Sequence, residues 1–180
     1  YKANSSGNFG VALGALTLAS TYGTAAGVNA SAMGVNGTAV GRFANAGGSY
    51  ATSLGAGSSA QGRKSVALGF SAAAGTSSSG TQAFALGSSS VASANNSTAI
   101  GGAIDLNGDG TIEANEETTA SAGLSMAMGD AAQATQTNAT AIGGEAVASG
   151  AGATALGSTA NASASSSVAI GFGSIANVAN

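Results

Sequence analysis

A five-residue pattern recurs along this chain of 180 residues and constrains its fold more than any other feature: a small residue, any residue, Ala, an apolar residue and Gly. The pentads close at Gly14, Gly27, Gly41, Gly55, Gly69, Gly87, Gly101, Gly129, Gly143, Gly157 and Gly171. Seven of the ten intervals between these glycines are 14 residues long, and we interpret the longer intervals as insertions. Self-similarity at a fixed period indicates a repeat architecture in which each unit stacks on the next.

Within each 14-residue unit the side chains follow a period of two, which predicts strands and no helices. In the pentad SVAIG, Val168 and Ile170 share one face of a strand and Ala169 lies on the other. The fourth pentad position is apolar in Leu13, Val40, Leu54, Leu68, Leu86, Ile100, Met128, Ile142, Leu156 and Ile170. This apolar column is expected to face either the inside of the coil or a partner chain.

Fourteen residues per turn leave room for only two short strands. The sequence therefore predicts an all-β fold, a flattened parallel β-roll (β-solenoid) whose strands stack about 4.8 Å apart. Roughly 12 turns would give a rod about 55–60 Å long on the same spacing. The glycines would close the first strand of each unit, where the chain reverses and needs a positive φ or a missing Cβ. A disordered linker or a silk-like stack would also be rich in Gly and Ala, but neither needs a fixed spacing and an apolar column.

The composition excludes most enzyme classes. The chain has no His and no Cys, so it can form neither a Ser-His-Asp triad nor a His/Cys zinc site. Among the four basic residues only Arg63 and Lys64 are adjacent, which argues against nucleic acid as a partner. Asp130 and Glu145 stand alone in the sequence, and we interpret them as solvated turn residues and not as a carboxylate pair for glycoside cleavage. We predict that the protein is not an enzyme.

The side chains are too small to fill a thick core, because Gly and Ala make up 74 of the 180 residues. The second pentad position is half apolar and half threonine: Val11, Thr38, Thr52, Val66, Phe84, Thr98, Met126, Thr140, Thr154 and Val168. Both this column and the apolar column can serve as contact surfaces. We therefore expect several rolls to pack side by side along their length as a homo-oligomer.

The tandem pentads SVALG, STAIG and SVAIG, each followed by G-x-x-[AS]-x-A at 14-residue spacing, resemble the YadA-like head repeats of trimeric autotransporter adhesins. The resemblance covers nearly the whole chain and implies one head domain over residues 1–180, built as a left-handed parallel β-roll in a homotrimer. It also implies display on the outer membrane of a Gram-negative bacterium, a role in virulence, and adhesion to host matrix proteins such as collagen, fibronectin or laminin. A stalk and a membrane anchor are expected outside these 180 residues.

Three segments depart from the repeat. They are an offset pentad at residues 30–34, four extra residues near 76–80, and a long insertion at about 103–117. The insertion contains five of the seven acidic residues of the chain. Its spacing matches an EF-hand loop, with side-chain oxygens at loop positions 1, 3, 5, 9 and 12 and a backbone carbonyl at position 7. In order along the loop these residues are Asp105, Asn107, Asp109, Thr111 (the carbonyl), Glu113 and Glu116.

Gly110 falls at loop position 6, where the EF-hand needs its sharp turn, and Ile112 falls at position 8. The sequence thus predicts a Ca²⁺ site, with an affinity in the extracellular range of roughly 10⁻⁴–10⁻³ M and a stiffening role. The alternative is a solvated acidic loop, because no amphipathic helix precedes Asp105.

The function predicted from these observations is non-enzymatic adhesion by a repetitive, nearly uncharged flank. Two alternatives remain open at this stage: a structural spacer that presents another domain, and an ice-binding solenoid built on the threonine column. Five aromatic residues follow or flank turns and could be exposed ligand contacts or buried plugs: Phe9, Phe43, Phe70, Phe172 and Tyr50.

Overall fold

The computed structural model describes residues 2–75 and 82–178, and within these residues the chain forms 23 short β-strands and no helix. No segment of this described part is therefore a helix that could cross a membrane. The odd-numbered strands have two residues each: β1 (Asn4–Ser5), β3 (Leu18–Ala19), β5 (Ser31–Ala32), β7 (Asn45–Ala46), β9 (Ser59–Ala60), β11 (Ala73–Ala74), β13 (Val91–Ala92), β15 (Thr119–Ala120), β17 (Gln133–Ala134), β19 (Val147–Ala148), β21 (Asn161–Ala162) and β23 (Ile175–Ala176). The even-numbered strands have three: β2 (Val11–Leu13), β4 (Thr24–Ala26), β6 (Thr38–Val40), β8 (Thr52–Leu54), β10 (Val66–Leu68), β12 (Phe84–Leu86), β14 (Thr98–Ile100), β16 (Met126–Met128), β18 (Thr140–Ile142), β20 (Thr154–Leu156) and β22 (Val168–Ile170).

The strands form two parallel sheets that wind around one axis. The odd-numbered strands make a 12-stranded sheet, here called sheet A, and the even-numbered strands make an 11-stranded sheet, here called sheet B. In both sheets each strand pairs with the equivalent strand of the next turn, so identical repeat positions stack on one another. Ala67 pairs with Ala85, for example, and Leu68 with Leu86. The prediction of an all-β, parallel β-solenoid with two strands per turn and about 12 turns is confirmed.

The core consists almost entirely of alanine. The middle residue of each even strand and the second residue of each odd strand point inward, as Ala67 and Ala74 do, and nearly all of these side chains are buried. The apolar column lies outside: Leu13 is 70% exposed and Ile170 is 66% exposed. Because the space between the sheets is filled by methyl groups, the larger side chains occupy the outer surface. The structure therefore excludes the inside of the coil as the place of the apolar column.

The corners between the sheets repeat as regularly as the strands. The first corner leads from sheet B to sheet A and starts at the closing glycine, whose φ is strongly positive, as in Gly55 (φ 135°). The second corner leads back to sheet B, as at Gly62. In both corners a buried hydroxyl three residues later donates to the carbonyl of that glycine: Ser58 to Gly55 (2.9 Å) and Ser65 to Gly62 (2.6 Å). These bonds satisfy buried polar groups in the corners that carry a hydroxyl at this position, and a buried alanine such as Ala44 or Ala51 takes its place in other corners.

Two short departures from the repeat were predicted, at residues 30–34 and near residues 76–80. The offset pentad at residues 30–34 contributes strand β5 to sheet A, so it is the second half of a regular unit. The extra residues near 76–80 lie outside the described residues.

Candidate functional site

The acidic insertion replaces a single first corner and leaves the roll intact. It leaves sheet B at Ile100 and returns to sheet A at Thr119, while Ala99 still pairs with Ala127 in the next turn. Thr118 ends the insertion at the position that the buried residues Ser58 and Ser90 hold in two other first corners. Its hydroxyl oxygen lies 2.7 Å from the carbonyl oxygen of Gly129 and 2.8 Å from that of Gly102. The insertion is therefore an excursion from a corner that is otherwise regular.

Three hydrogen bonds fix the base of the insertion. The Ile104 N–H donates to the carbonyl of Glu116 (3.0 Å), which joins the two ends of the loop. The Gln133 amide on the outer surface of sheet A donates to the carbonyl of Ala114 (2.8 Å). The Gly102 N–H donates to the Asp130 carboxylate in the next turn (2.7 Å). The insertion thus lies against sheet A and is held by two side chains of the following turn.

Glu116 is the internal anchor of the loop. It is only 1% exposed, and its carboxylate accepts hydrogen bonds from the N–H groups of Leu106 (2.8 Å), Asn107 (3.3 Å) and Glu113 (3.1 Å). The Glu113 N–H is the largest cause that holds the pKa of Glu116 below its usual range, while burial acts in the opposite direction. Burial alone raises the pKa of the neighbouring Glu117.

Asp105 organises the opposite side of the loop. Its carboxylate accepts hydrogen bonds from the N–H groups of Gly108 (2.6 Å), Asp109 (3.2 Å) and Gly110 (2.8 Å). Gly108 and Gly110 have φ values of 74° and 84°, which place both in the left-handed region that glycine adopts without strain. The turn predicted at Gly110 is present.

Four of the six predicted ligands converge at the tip of the loop. The Thr111 hydroxyl oxygen lies 2.5 Å from the Asp109 carboxylate and 2.6 Å from the Glu113 carboxylate. The Asn107 amide donates to the same two carboxylates at 3.2 and 3.3 Å. The Thr111 hydroxyl is also the largest cause that lowers the pKa of Asp109. Two carboxylates therefore face each other across one hydroxyl and one amide.

The other two predicted ligands, Asp105 and Glu116, direct their carboxylates to backbone N–H groups. In the described part of the chain, no three Asp or Glu side chains come together as a group that could hold a metal ion. The sequence spacing does not separate these two residues from the four at the tip, because a carboxylate at any of these positions can serve either as a metal ligand or as an acceptor for backbone N–H groups.

The outer surface of sheet B is a second candidate site, here called the apolar face. It consists of the second and fourth pentad columns and runs about 50 Å along the axis at the usual strand spacing. Large exposed members are Val11, Leu13, Val40, Leu54, Leu86, Met126, Leu156, Val168 and Ile170. The three-residue strands contain no charged residue. The second column contains both threonines and apolar residues, whereas the fourth column is apolar in every turn. An apolar column of this length is typical of a protein–protein contact.

The outer surface of sheet A, here called the polar face, has a different chemistry. The first residue of each odd strand points outward, and many of these residues are small or polar, such as Ser31, Asn45 and Ser59. They are half-buried by their neighbours along the axis. The insertion interrupts this face at Gln133, so its longer uninterrupted part lies on the N-terminal side of the insertion.

Aromatic side chains project from the corners of the first four turns. Phe9 is 80% exposed, and its ring stacks on that of Tyr22 with centroids 5.5 Å apart. The guanidinium of Arg42 lies 4.7 Å from the centre of the Phe43 ring. The five aromatic residues predicted near turns, including Phe70, are exposed, so none of them is a buried plug. Tyr22 was missed by the sequence analysis, although it precedes a glycine in the same turn position as Phe9.

Comparison with protein families gives one result. The model of the YadA head domain repeat (2 copies) matches residues 46–72, 78–103, 120–146 and 148–174, which is more than half of the chain. The interval between the second and third matched segments contains the acidic insertion, so the insertion is an addition to the family pattern. No curated protein matches the chain.

Proposed function

Because the chain belongs to the YadA head domain family, we propose that it is the head of a trimeric autotransporter adhesin. The head binds host matrix proteins and thereby attaches a Gram-negative bacterium to its host. The head acts by binding and not by catalysis, and it is displayed outside the outer membrane. The apolar face is the observation that supports this proposal. Copies of the chain that pack in parallel through this face would form one rod that presents several identical binding surfaces.

We place the apolar face at the axis of the trimer. In a parallel three-fold assembly, equivalent residues meet at the same level, so each leucine of the apolar face meets its own copies. Leu54 and Leu86 are exposed in the single chain, and burying such side chains contributes about 1.5–3 kcal/mol each when burial is complete. Each alanine of the core buries only one methyl group, worth about 0.8 kcal/mol, so a leucine buried in the assembly adds more than a single core alanine does. The assembly therefore supplies the apolar burial that the single roll lacks.

Sedimentation velocity of the purified chain tests the assembly. We expect a trimer for the wild type and for Ser59→Glu, which adds a charge to the polar face. Leu54→Glu, in the same turn, should dissociate the trimer because it places three carboxylates together in an apolar interface. A wild-type monomer at micromolar concentration would contradict the proposal, as would a Leu54→Glu trimer as stable as the wild type.

With the apolar face used for assembly, the polar face is the flank left for a host ligand. Its outward side chains include Ser31, Asn45 and Ser59 in three successive turns, which offer hydrogen-bonding groups without charge. Three identical copies on one rod would add avidity to weak single contacts. A solid-phase binding screen against collagen, fibronectin and laminin tests this role. Binding to none of the three would favour the alternative, a spacer that presents another domain.

The ice-binding alternative is not favoured by the geometry. Thr38 stacks on Thr52, and Thr140 on Thr154, but Val66 and Phe84 follow in the same column. Because Thr24 also stacks on Thr38, the longest run of threonines spans three turns, and a regular two-dimensional lattice of hydroxyl groups is broken at Val66.

We further propose that the insertion binds Ca²⁺ through its tip. The convergence of the Asp109 and Glu113 carboxylates on the Thr111 hydroxyl supports this proposal, because Asp109 and Glu113 hold loop positions 5 and 9, where an EF-hand supplies oxygen ligands from side chains, often through a water at position 9. The single hydrogen of the Thr111 hydroxyl can serve only one of the two facing carboxylates at a time, so a cation between them would relieve their repulsion. Calorimetric titration of the purified chain with CaCl₂ tests the site.

A further inference from the structure

The chain contains seven tripeptides of the form Asn-x-Ser or Asn-x-Thr and no proline. In exported proteins this tripeptide, the sequon, is the signal at which a transferase attaches a sugar to the side-chain nitrogen of asparagine. The seven sequons begin at Asn4, Asn29, Asn36, Asn95, Asn96, Asn138 and Asn161. Because Asn, Ser and Thr are common in this chain, the motif alone does not select among these positions. The structure separates them.

Three of the sequons occupy the same place in the roll. Asn36, Asn96 and Asn138 each lie in a second corner, two residues before a strand of sheet B. Their φ values are 57°, 54° and 58°, in the left-handed region that Asn adopts more readily than most residues. The next residue is small and buried, and the third is the threonine that opens β6, β14 or β18: Thr38, Thr98 and Thr140. The geometry of the second corner thus favours the sequon at these positions.

At each of these three corners both groups that the reaction needs are free. Asn36, Asn96 and Asn138 are exposed. Within the described residues, neither their carboxamides nor the hydroxyls of the three threonines form a hydrogen bond to the protein. The carboxamide nitrogen is the atom that takes the sugar, and the hydroxyl two residues later is the other half of the signal. A sugar at these corners therefore displaces no hydrogen bond of the roll.

The other four sequons differ in position or in their contacts. The sequon of Asn95 depends on the hydroxyl of Ser97, which is buried and donates to a backbone carbonyl (2.7 Å). Asn161 lies within strand β21 on the polar face, and its Oδ1 atom is buried. Asn4 belongs to sheet A and Asn29 to a first corner, so neither precedes a strand of sheet B. Only the three second-corner sequons combine an exposed asparagine with a free threonine hydroxyl.

We propose that Asn36, Asn96 and Asn138 are N-glycosylation sites. The side-chain nitrogen of each asparagine forms a bond to C1 of a sugar, while the bond between C1 and the diphosphate of a nucleotide-activated sugar breaks. The nucleoside diphosphate leaves, and the nitrogen gives up one proton to a base of the transferase. The product is an uncharged amide N-glycoside. This inference goes beyond adhesion, because it concerns a modification of the single chain.

The threonine hydroxyls determine when the sugar is added. Thr38, Thr98 and Thr140 point outward on the apolar face, which we place at the axis of the trimer. A transferase can therefore reach these hydroxyls only before three chains assemble. The asparagines themselves lie in the corners, outside both sheets. The sugar is added to the separate chain, and the folded roll accommodates it at a corner.

The sugars would also cover an exposed apolar side chain. Leu124 holds the same corner position in the turn between Asn96 and Asn138, and it is 60% exposed. The Leu124 N–H donates to the Asn95 carbonyl (3.0 Å), and the Asn138 N–H donates to the Gly123 carbonyl (3.1 Å), so the three corners stack directly on one another. Neighbouring turns are about 4.8 Å apart, well within the reach of a sugar. Hydrated sugars on both sides of Leu124 would increase the solubility of this edge.

Peptide mass spectrometry of the protein isolated from the bacterium that produces it tests the proposal. We expect a sugar on Asn36, Asn96 and Asn138. Asn161 should be unmodified, because a sugar on its carboxamide would disturb the packing around the buried oxygen.

Two variants at one threonine test whether attachment uses the sequon. Thr140→Val, produced in the same bacterium, should abolish the sugar on Asn138, because it removes the hydroxyl and leaves the asparagine in place. Valine already occupies this column in Val66 and Val168, so the roll accommodates it. Thr140→Ser is the matched control. It keeps a hydroxyl at this position and should keep the sugar.

The absence of sugar from all three corners would overturn the proposal. Equal occupancy at Asn161 would also overturn it, because the structure would then not select the sites. A sugar on Asn138 that persists in Thr140→Val would show that attachment does not use the sequon, with the same consequence. Sedimentation velocity of the modified protein keeps the two proposals apart. A glycosylated monomer would contradict the trimer and leave the glycosylation sites in place.

Discussion

Gly41 stacks directly on Gly55: a Cβ added to Gly41 would lie 2.5 Å from the Gly55 carbonyl oxygen. The same close approach links the closing glycines of successive turns, so these glycines form a continuous line along the first corner. Gly41 also has a φ of 130°, a conformation that residues with a side chain rarely adopt. The glycine of the pentad is therefore required twice, by its backbone conformation and by its neighbour.

We predict that Gly41→Ala destabilises the fold by about 1–3 kcal/mol, because the strained φ and the contact with Gly55 both oppose a Cβ. The matched control is Gly144→Ala, whose nearest neighbouring atom would be 3.8 Å from the added Cβ. Thermal unfolding at a fixed chain concentration measures both variants. Equal midpoints of thermal unfolding for Gly41→Ala and Gly144→Ala would show that the line of stacked glycines does not require glycine at position 41.

The alanine core limits the size of the side chains that point inward. Ala99 points inward and is fully buried, and its neighbours in sheet B are also alanines. We predict that Ala99→Leu destabilises the fold by about 1–3 kcal/mol through overpacking, because the core has no room for a branched side chain. Val91→Leu, on the outer surface of sheet A and outside the apolar face, is the control and should leave the unfolding midpoint nearly unchanged. Chemical denaturation of both variants compares them.

The sequence was sufficient to predict the parallel roll, its period and its glycine corners, because each turn repeats the same local chemistry. It did not settle which column faces inward. Large apolar residues usually form a core, yet Leu68 points outward while Ala67 is buried. The decision depends on the distance between the two sheets, which is set by the corner geometry, and a pattern of alternating residues carries no such distance.

For the acidic insertion, too, the sequence predicted only part of the structure. Its EF-hand spacing predicted six ligands, and Gly110 makes the expected turn. The spacing could not predict that Glu116 would be buried and hydrogen-bonded to backbone N–H groups, because this depends on how the loop folds over its own base. Asp130, which accepts a hydrogen bond from this base, and Gln133, which donates one to it, belong to the following turn of the roll and lie outside any local motif.

For the loop tip we predict Ca²⁺ binding with a dissociation constant of roughly 10⁻⁴–10⁻³ M. Asp109→Asn and Glu113→Gln should each weaken binding at least several-fold, since each removes one of the two carboxylates that face each other. Glu117→Gln is the matched control, because Glu117 belongs to none of the predicted ligand positions. Isothermal calorimetry compares the four proteins. The absence of heat in the wild type would leave the loop as a solvated acidic segment.

The hydrogen bonds to Glu116 predict how the loop responds to pH. The pKa of Glu116 lies below its usual range in the folded loop, so its ionised form stabilises the folded loop relative to the unfolded loop. This contribution is fully present above roughly pH 4.3, the usual pKa of a glutamate, and is lost as the pH falls through the lower pKa of the folded loop. Asp109, whose pKa is also lowered, changes stability in the same direction.

We therefore predict that the amide resonances of Leu106 and Glu113 move together below about pH 4, because both N–H groups donate to Glu116. Resonances of a distant core residue such as Ala155 should stay unchanged over the same range, since the roll does not depend on the loop. NMR titration of a chelated sample measures both sets. Glu116→Gln should abolish this shared transition by removing the titrating carboxylate. A transition of Leu106 and Glu113 that persists in this variant would mean that another group controls the loop, and the role of Glu116 as its internal anchor would then be wrong.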